Sequence, residues 1–535
     1  MDVISEINKA VEFIKREDYE SARKIYLKAL ELNPDNPTLL SFLGFLYIST
    51  KEFQNSENIF EKAYSISNND SILLGVALSK FMLQKYEECV PYYIELISRD
   101  NNDCRYYEKI TQALSSLVST GKSQYFNMAY KYSSIALSKF PLNKEFYVSY
   151  SISCIYSGKL EEGEKACYQA LKLDNNYWKT LSQLGLIQEF LYCDEEKAQK
   201  YYKKALKNSG TKSIYYDLGV SYSKSGEYNK AIRAFKKALM SYPDNKTIIL
   251  GIAHNYFKQR KFKEGYKYYI KQNDSSGAKD LINIWDREIH KDKTIFVYPD
   301  LAYGDHIMFM RYVPYLKNKF KKVIVYAYPE LIKLFSENFE GIEFVSEIPE
   351  YDYSVVLSKL PYYLKMDFSK IPLSSGYIKR KSPNNHHLKI GLCWEAGNAD
   401  IRTTIHRTIN INEFKRIFDL GLDIYSFQVN PSSSDYLKFN MKDLGKGFKN
   451  FHDTALALQD MDIMISVDTS VANLAGAMGI KTFLLLPYYS DWRWFDNTDR
   501  TEWYDSVKIF KQTEKNVWDN EIKRIVRELT KLTSK

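Results

Sequence analysis

Tyr216-Asp-Leu-Gly-Val-Ser-Tyr-Ser-Lys-Ser-Gly-Glu-Tyr-Asn-Lys-Ala231, continuing through Phe235 and Ala238 to Pro243, decides the architecture of the first half of the chain. Its frame returns at Tyr19, Ala22, Tyr26, Ala29 and Pro34, and again at Gly44, Tyr47, Phe53, Phe60 and Ala63. Tyr19 to Phe53 and Ala29 to Ala63 both span 34 residues. Weaker copies pass through Tyr86 and Tyr93, Ala129, Ala136 and Pro141, Gly158, Cys167 and Ala170, Gly185, Ala198, Tyr202 and Ala205, and Tyr256, Phe262 and Tyr269. A fixed period of this length is the signature of stacked helical hairpins. About eight units span residues 1–275, with an insertion around Ser115 to Gln124. Small residues such as Gly44, Gly219 and Ala231 let the two helices of a unit approach closely, and aromatics such as Tyr228 and Phe235 fill the gap to the next unit. Many of the 45 tyrosines fall at these packing positions, so they read as core.

The nine matched positions from Leu218 to Pro243 resemble the tetratricopeptide repeat. The resemblance implies an α-solenoid over residues 1–275 whose concave groove takes an extended peptide or protein.

Beyond Lys271 and the polar stretch Gln272 to Gly277, the period changes. Strand-length apolar runs alternate with helix-length amphipathic segments, which predicts α/β structure with parallel sheets. The first set has strands at Thr294–Tyr298, Val323–Tyr328 and Tyr353–Leu357, with helices expected over His306–Phe320 and Leu331–Asn338. After a linker near Lys379 to His387, the second set has strands at Leu388–Cys393, Ile424–Gln428, Ile463–Val467 and Thr482–Leu486, and a helix at Ser470–Met478. Two such sets predict two Rossmann-like halves, residues 290–385 and 386–535, with ligands beyond the carboxyl ends of the strands.

The totals exclude other classes. The net charge of +9 is spread over 75 basic and 66 acidic residues without a dense Lys/Arg block, so no nucleic-acid partner is expected. Six scattered cysteines without a C-x-x-C pair read as reduced thiols. The acidic start, Met1 to Glu6, is unlike a signal peptide, and the most apolar stretch, Ile463 to Leu486, carries Asp468 and Lys481. A cytoplasmic protein with no integral membrane segment is expected. His386-His387 and the scattered remaining histidines predict no metal site, and no cofactor is implied.

Chemistry concentrates in three segments. Ile465-Ser-Val-Asp-Thr-Ser470 delivers a buried strand to the start of a small-residue helix, where free N–H groups and the helix end can hold a pyrophosphate. On residues alone, Asp468, Thr469 and Ser470 also read as a simple N-cap. Asp468-Thr-Ser-Val-Ala-Asn-Leu-Ala-Gly-Ala-Met-Gly479 is similar to the D-x-x-x-x-H-L-A-x-A-L-G motif of the ADP-heptose heptosyltransferase family, with Asn473 where that family has His. Asp491-Trp-Arg-Trp494 and Glu502-Trp-Tyr504 look like the tail of bacterial proteins that fuse tetratricopeptide repeats to such a domain. The resemblance covers roughly residues 290–535.

It implies a GT-B glycosyltransferase with a nucleotide-sugar donor. Ala302-Tyr-Gly-Asp305 resembles the family's Gly-Asp motif, which implies Asp305 as catalytic base, with Gly304 permitting a sharp turn. Gly391 to Asn398 and His406-Arg-Thr-Ile409 resemble its strand–loop and Arg-Ser-Ile elements, implying donor contacts from Gly397 and Arg407. Donor contacts are likewise implied for Asp468, Thr469, Ser470 and Asn473, and Gln428 is read as a nucleobase or ribose contact. The fused architecture is similar to that of O-GlcNAc transferases and flagellin glycosyltransferases. It implies inverting, metal-independent transfer to Ser or Thr of a protein in the repeat groove, such as flagellin or another surface protein. Alternatives are a heptosyltransferase acting on a lipopolysaccharide or capsule glycan, and a non-catalytic repeat scaffold.

Overall fold

The computed structural model describes residues 3–209, 211–271, 281–366, 371–380, 387–397, 407–495 and 498–533. The chain divides into two compact units, Met1–Ser221 and Tyr222–Lys535.

Among the described residues, eight successive helix pairs run from Val3–Lys15 to Phe262–Tyr269. Several helices that open a pair start on a capping side chain. Asn36, Asn69, Asp103, Asn143 and Asn245 each accept a backbone N–H of the first turn, which satisfies donors a helix leaves unpaired at its start. Close approach depends on glycine at chosen points. A Cβ on Gly44 would lie 2.5 Å from the Phe60 ring, and one on Gly185 would lie 2.5 Å from the Tyr202 ring. Around the expected insertion, a longer helix, Cys104–Ser119, precedes a short 3-10 turn, Ser123–Tyr125.

The second unit opens with the last repeat helices and continues into two parallel sheets. The final pair, Lys246–Lys258 and Phe262–Tyr269, packs into the same core as the sheets. The Phe257 ring lies 4.6 Å from Trp492, Tyr269 donates to Ser358 Oγ at 3.1 Å, and Arg260 pairs with Glu502. The change of period near residue 275 is therefore not where packing divides. The apolar face of the last pair is covered by the α/β region instead of by another repeat.

The first sheet contains β1 (His290–Tyr298), β2 (Phe320–Tyr326), β3 (Glu343–Val345) and β4 (Tyr353–Val356), in the order β3-β2-β1-β4. The second contains β5 (Lys389–Cys393), β6 (Asp423–Ser426), β7 (Lys442–Asp443), β8 (Ile463–Val467), β9 (Lys481–Leu486) and β10 (Val507–Lys511), in the order β10-β9-β8-β5-β6-β7. Every pairing within the two sheets is parallel. Both orders are those of doubly wound sheets, with the winding reversing between β1 and β4 and between β5 and β8.

The helix expected over 306–320 is shorter. An α-helix spans Tyr303–Phe309, and Met310–Asn318 continues as 3-10 helix around Pro314, which has no N–H to give an α-helical ladder. This tightened segment carries Arg311, which is fully buried. Its guanidinium donates to the carbonyls of Trp503 at 2.6 Å and Pro372 at 3.2 Å, and lies against the rings of Tyr377 and Tyr504. It thereby ties the first sheet's connection to segments of the second. Trp285, Trp394, Trp494 and Trp503 are among the largest fully buried side chains of this unit.

Candidate active site

A cleft of about 630 Å³ opens over the carboxyl ends of five strands. Its walls are Ala302 to Asp305 after β1, Cys393 and Glu395 to Gly397 after β5, Phe427 to Val429 after β6, Asp468 to Ser470 after β8, and Asp491 with Arg493 after β9. The eight residues singled out in the sequence, Asp305, Gly397, Arg407, Gln428, Asp468, Thr469, Ser470 and Asn473, all line it. Asn398 and His406, which belonged to the same sequence segments, lie outside the described residues.

Asp305 is the third residue of the Tyr303–Phe309 helix, whose N-cap is Ala302. Gly304 therefore makes no sharp turn. Its role is contact, because a Cβ there would lie 2.9 Å from Asn473 Nδ2 and 3.4 Å from Ser470 Cα. The two helices bearing Asp305 and Ser470 meet at this glycine. His306, the next residue, is fully buried against Tyr328 and Phe335, and burial pushes its imidazole down to about 3, so it stays neutral.

Asp305 pairs with Arg493 Nε, and Arg493 Nη1 pairs with Asp491 at 2.6 Å. Asp305 and Arg493 are mostly shielded from solvent, while Asp491 is more exposed. Burial pushes the Asp305 carboxyl up to about 6 against the opposing charge of Arg493, with Asp491, Asp468 and Asp300 adding to the rise. Burial acts the same way on Asp491, but the Arg493 charge and hydrogen bonds outweigh it and hold that carboxyl down at about 2. One guanidinium thus stands between a carboxylate that holds its proton weakly and one that titrates near neutrality.

In the adjoining helix, Thr469 caps Ser470–Ala477, its side chain accepting from Ala472 N, and bonds Ser466 Oγ at 3.0 Å. Arg407 Nη1 lies 3.8 Å from Asp468 Oδ2. Burial raises the Asp468 carboxyl, Asp491 adds to that, and Arg407 opposes it. The buried Arg407 Nε has no hydrogen-bond partner among the described residues. Asn473 is engaged at both ends of its amide: Nδ2 donates to Thr469 O at 3.1 Å, and Oδ1 accepts from Tyr504 OH at 3.1 Å. Gln428 Oε1 accepts the backbone N–H groups of Trp394 at 3.2 Å and Glu395 at 2.9 Å, bracing the loop after β5.

Sequence reasoning missed Asp491 and Arg493 as site residues. Their signal was an Asp and an Arg alternating with two buried tryptophans, Asp491-Trp-Arg-Trp494, just after a buried strand. The loop that carries them is held by the last repeat pair. The His254 ring stacks on Trp492 at 5.8 Å, and Phe262 meets Phe495 edge-on at 5.9 Å. Phe495 adopts φ 53° and ψ −179°, a conformation rare for a residue with a side chain. Such backbone strain persists only where surrounding contacts impose it.

Residues 12–50, 38–70 and 213–245 match the tetratricopeptide repeat family. The helix pairs in these stretches are tetratricopeptide repeats. Repeats of this kind stack into extended concave surfaces of the sort used for protein interaction. The mouse tetratricopeptide repeat protein 21A is 22% identical over 245 residues, 46% of this chain. The match spans only 15% of that relative's own length. A tetratricopeptide repeat protein from Parabacteroides merdae is 18% identical, covering 46% of this chain and 96% of that one, with a TM-score of 0.40. YrrB, described as having an unusual peptide-binding site, is 18% identical, covering 34% of this chain and 90% of its own, with a TM-score of 0.31. Among the described residues, no helix is long and apolar enough to cross a membrane.

Proposed function

We propose that the cleft transfers a sugar, with inversion, from a nucleotide-sugar donor to an acceptor hydroxyl, with Ser or Thr of a protein as the acceptor. The observation that carries this reading is one cleft holding both halves of the required chemistry. A shielded carboxylate with its pKa raised to about 6, Asp305, shares the cleft with the Ser470 helix end and Arg407, groups suited to hold an anion. The parallel doubly wound sheets are compatible with a GT-B arrangement, and ligands of such sheets bind at the winding reversal, where this cleft lies.

In the proposed step, ionised Asp305 takes the proton of the acceptor hydroxyl as its oxygen bonds to the anomeric carbon. The bond from that carbon to the donor phosphate breaks, and the nucleoside diphosphate leaves with the electron pair. Its developing charge meets the N–H groups and hydroxyls at Thr469 and Ser470 and the Arg407 guanidinium, groups fixed before the reaction begins. No metal enters this scheme. The repeats supply the protein partner, which favours a protein acceptor over a free glycan.

The reading is tested by incubating the full chain with nucleotide sugars and following release of nucleoside diphosphate. Asp305→Asn is expected to lower turnover by about 100-fold or more while the donor still binds. Unchanged turnover would remove Asp305 as base. A wild-type chain that binds no nucleotide, yet captures a protein through its repeats, would favour the scaffold reading.

A further inference from the structure

The bridge from Asp305 through Arg493 to Asp491 poses a physical problem for a cleft that receives a diphosphate. The described lining residues carry five carboxylates, Asp305, Glu330, Glu395, Asp468 and Asp491, against three cations, Arg407, Lys449 and Arg493. Two of those cations already face carboxylates. A guanidinium presents a planar fork suited equally to carboxylate and phosphate oxygens, so the two anions compete for it.

Resting on the transferase reading, we infer that Arg493 is an exchangeable counter-ion that leaves Asp305 for the donor's diphosphate while Asp491 keeps hold of it. The geometry makes the exchange one-sided. Asp491 anchors Arg493 twice, through Nη1 at 2.6 Å and by accepting the Arg493 backbone N–H at 3.0 Å. Asp305 meets the guanidinium at Nε, with no contact to the Arg493 backbone of the kind Asp491 makes. The anchor itself cannot drift, because Trp492 is clamped by Phe257 and His254. Diphosphate binding would then strip Asp305 of its counter-charge and raise its proton affinity. The base is held as an inert ion pair until a donor arrives, and donor and proton binding become linked.

The groups that face Asp305 are Arg493 and Asp491 from the loop after β9, Asp468 from the end of β8, Asp300 from the loop after β1, and Tyr269 from the last repeat helix. Arg407 in turn faces Asp468, and His254 faces Asp491. Of these, only Arg493 is shared between Asp305 and a second anchor.

The experiment is calorimetry of UDP, GDP, ADP, CDP and dTDP with the full chain, at pH 5.5 and pH 8. The variants are Asp305→Asn, Arg493→Met and the double substitution. Exchange predicts that Asp305→Asn binds nucleoside diphosphate about 10-fold tighter than wild type at pH 8 and equally at pH 5.5. It also predicts that Asp305→Asn has no effect once Arg493 is Met, the interaction being read by the double-mutant cycle. If Arg493→Met does not fold, Arg493→Gln, which keeps a donor for Asp491, takes its place. Equal or weaker binding by Asp305→Asn at pH 8 overturns the exchange. So does the same tightening in the Arg493→Met background, which would be plain repulsion between Asp305 and the phosphates. No binding of any of the five nucleotides to wild type overturns the transferase reading itself, and the exchange with it.

Discussion

Asp305 and Asp491 share one guanidinium, yet their surroundings drive their carboxyls in opposite directions. Asp491 has both a hydrogen bond from Arg493 Nη1 and one from a backbone N–H, and hydrogen bonds to a carboxylate favour the charged form. Asp305 has the charge of Arg493 beside it at Nε and three neighbouring carboxylates. Its folded value, about 6, lies above the ordinary 3.8, so the folded chain keeps a proton that the unfolded chain releases between those values. Stability therefore falls as pH rises through that window: the penalty is absent below the ordinary value and complete above about 6. Asp305→Asn removes it. The melting temperature of the variant relative to wild type is expected to rise from pH 4 to about pH 6 and then level off. Thermal denaturation showing the opposite slope would mean the carboxylate is not held against its preference.

At the scale of elements, the cleft depends on how closely the Tyr303–Phe309 and Ser470–Ala477 helices approach. Gly304→Ala places a methyl 2.9 Å from Asn473 Nδ2, at an amide already committed to Thr469 and Tyr504. Overpacking of this kind typically costs about 1–3 kcal/mol. We expect a lower melting temperature together with weaker nucleotide binding, because the helix that carries Asp305 is displaced from the Ser470 helix end. A variant that melts and binds like wild type would show that the helices have room to spare. The strands that bound this cleft were legible as buried apolar runs, Ile463–Val467 most plainly, because a strand covered on both faces needs no polar position. The short edge strand Glu343–Val345 and the strand Val507–Lys511 gave weaker patterns, being brief or half polar. The helix Phe451–Gln459 also went unread. Asp305 was singled out through its motif, whereas Arg493, inside the quoted Asp491-Trp-Arg-Trp494, was given no role. Its partner Asp305 is brought to it from a helix far away in sequence, and spacing carries no record of that.

For the whole molecule, the boundary of repetition and the boundary of packing differ. Residues Lys246–Tyr269 repeat like the solenoid, but bury Phe257, Tyr266 and Tyr269 in the core of the sheets. A fragment beginning at Tyr222 is expected to be soluble and to melt cooperatively. One beginning at Leu281 should aggregate or melt far lower, since it bares the apolar surface around Trp492 and Phe495. Equal behaviour of the two fragments in size-exclusion chromatography and calorimetry would show that the last repeat pair is dispensable to the sheets.

The placement of the tryptophans gives the molecule a built-in optical reporter. Of seven, only Trp178 precedes residue 222, and Trp492 and Trp494 flank Arg493 on either side. Indole emission therefore speaks almost wholly for the α/β unit, while far-ultraviolet dichroism is dominated by the helices of the solenoid. Recording both signals through one denaturation separates the melting of the two units without a label. A ligand that moves the Arg493 guanidinium should also announce itself as a change in brightness.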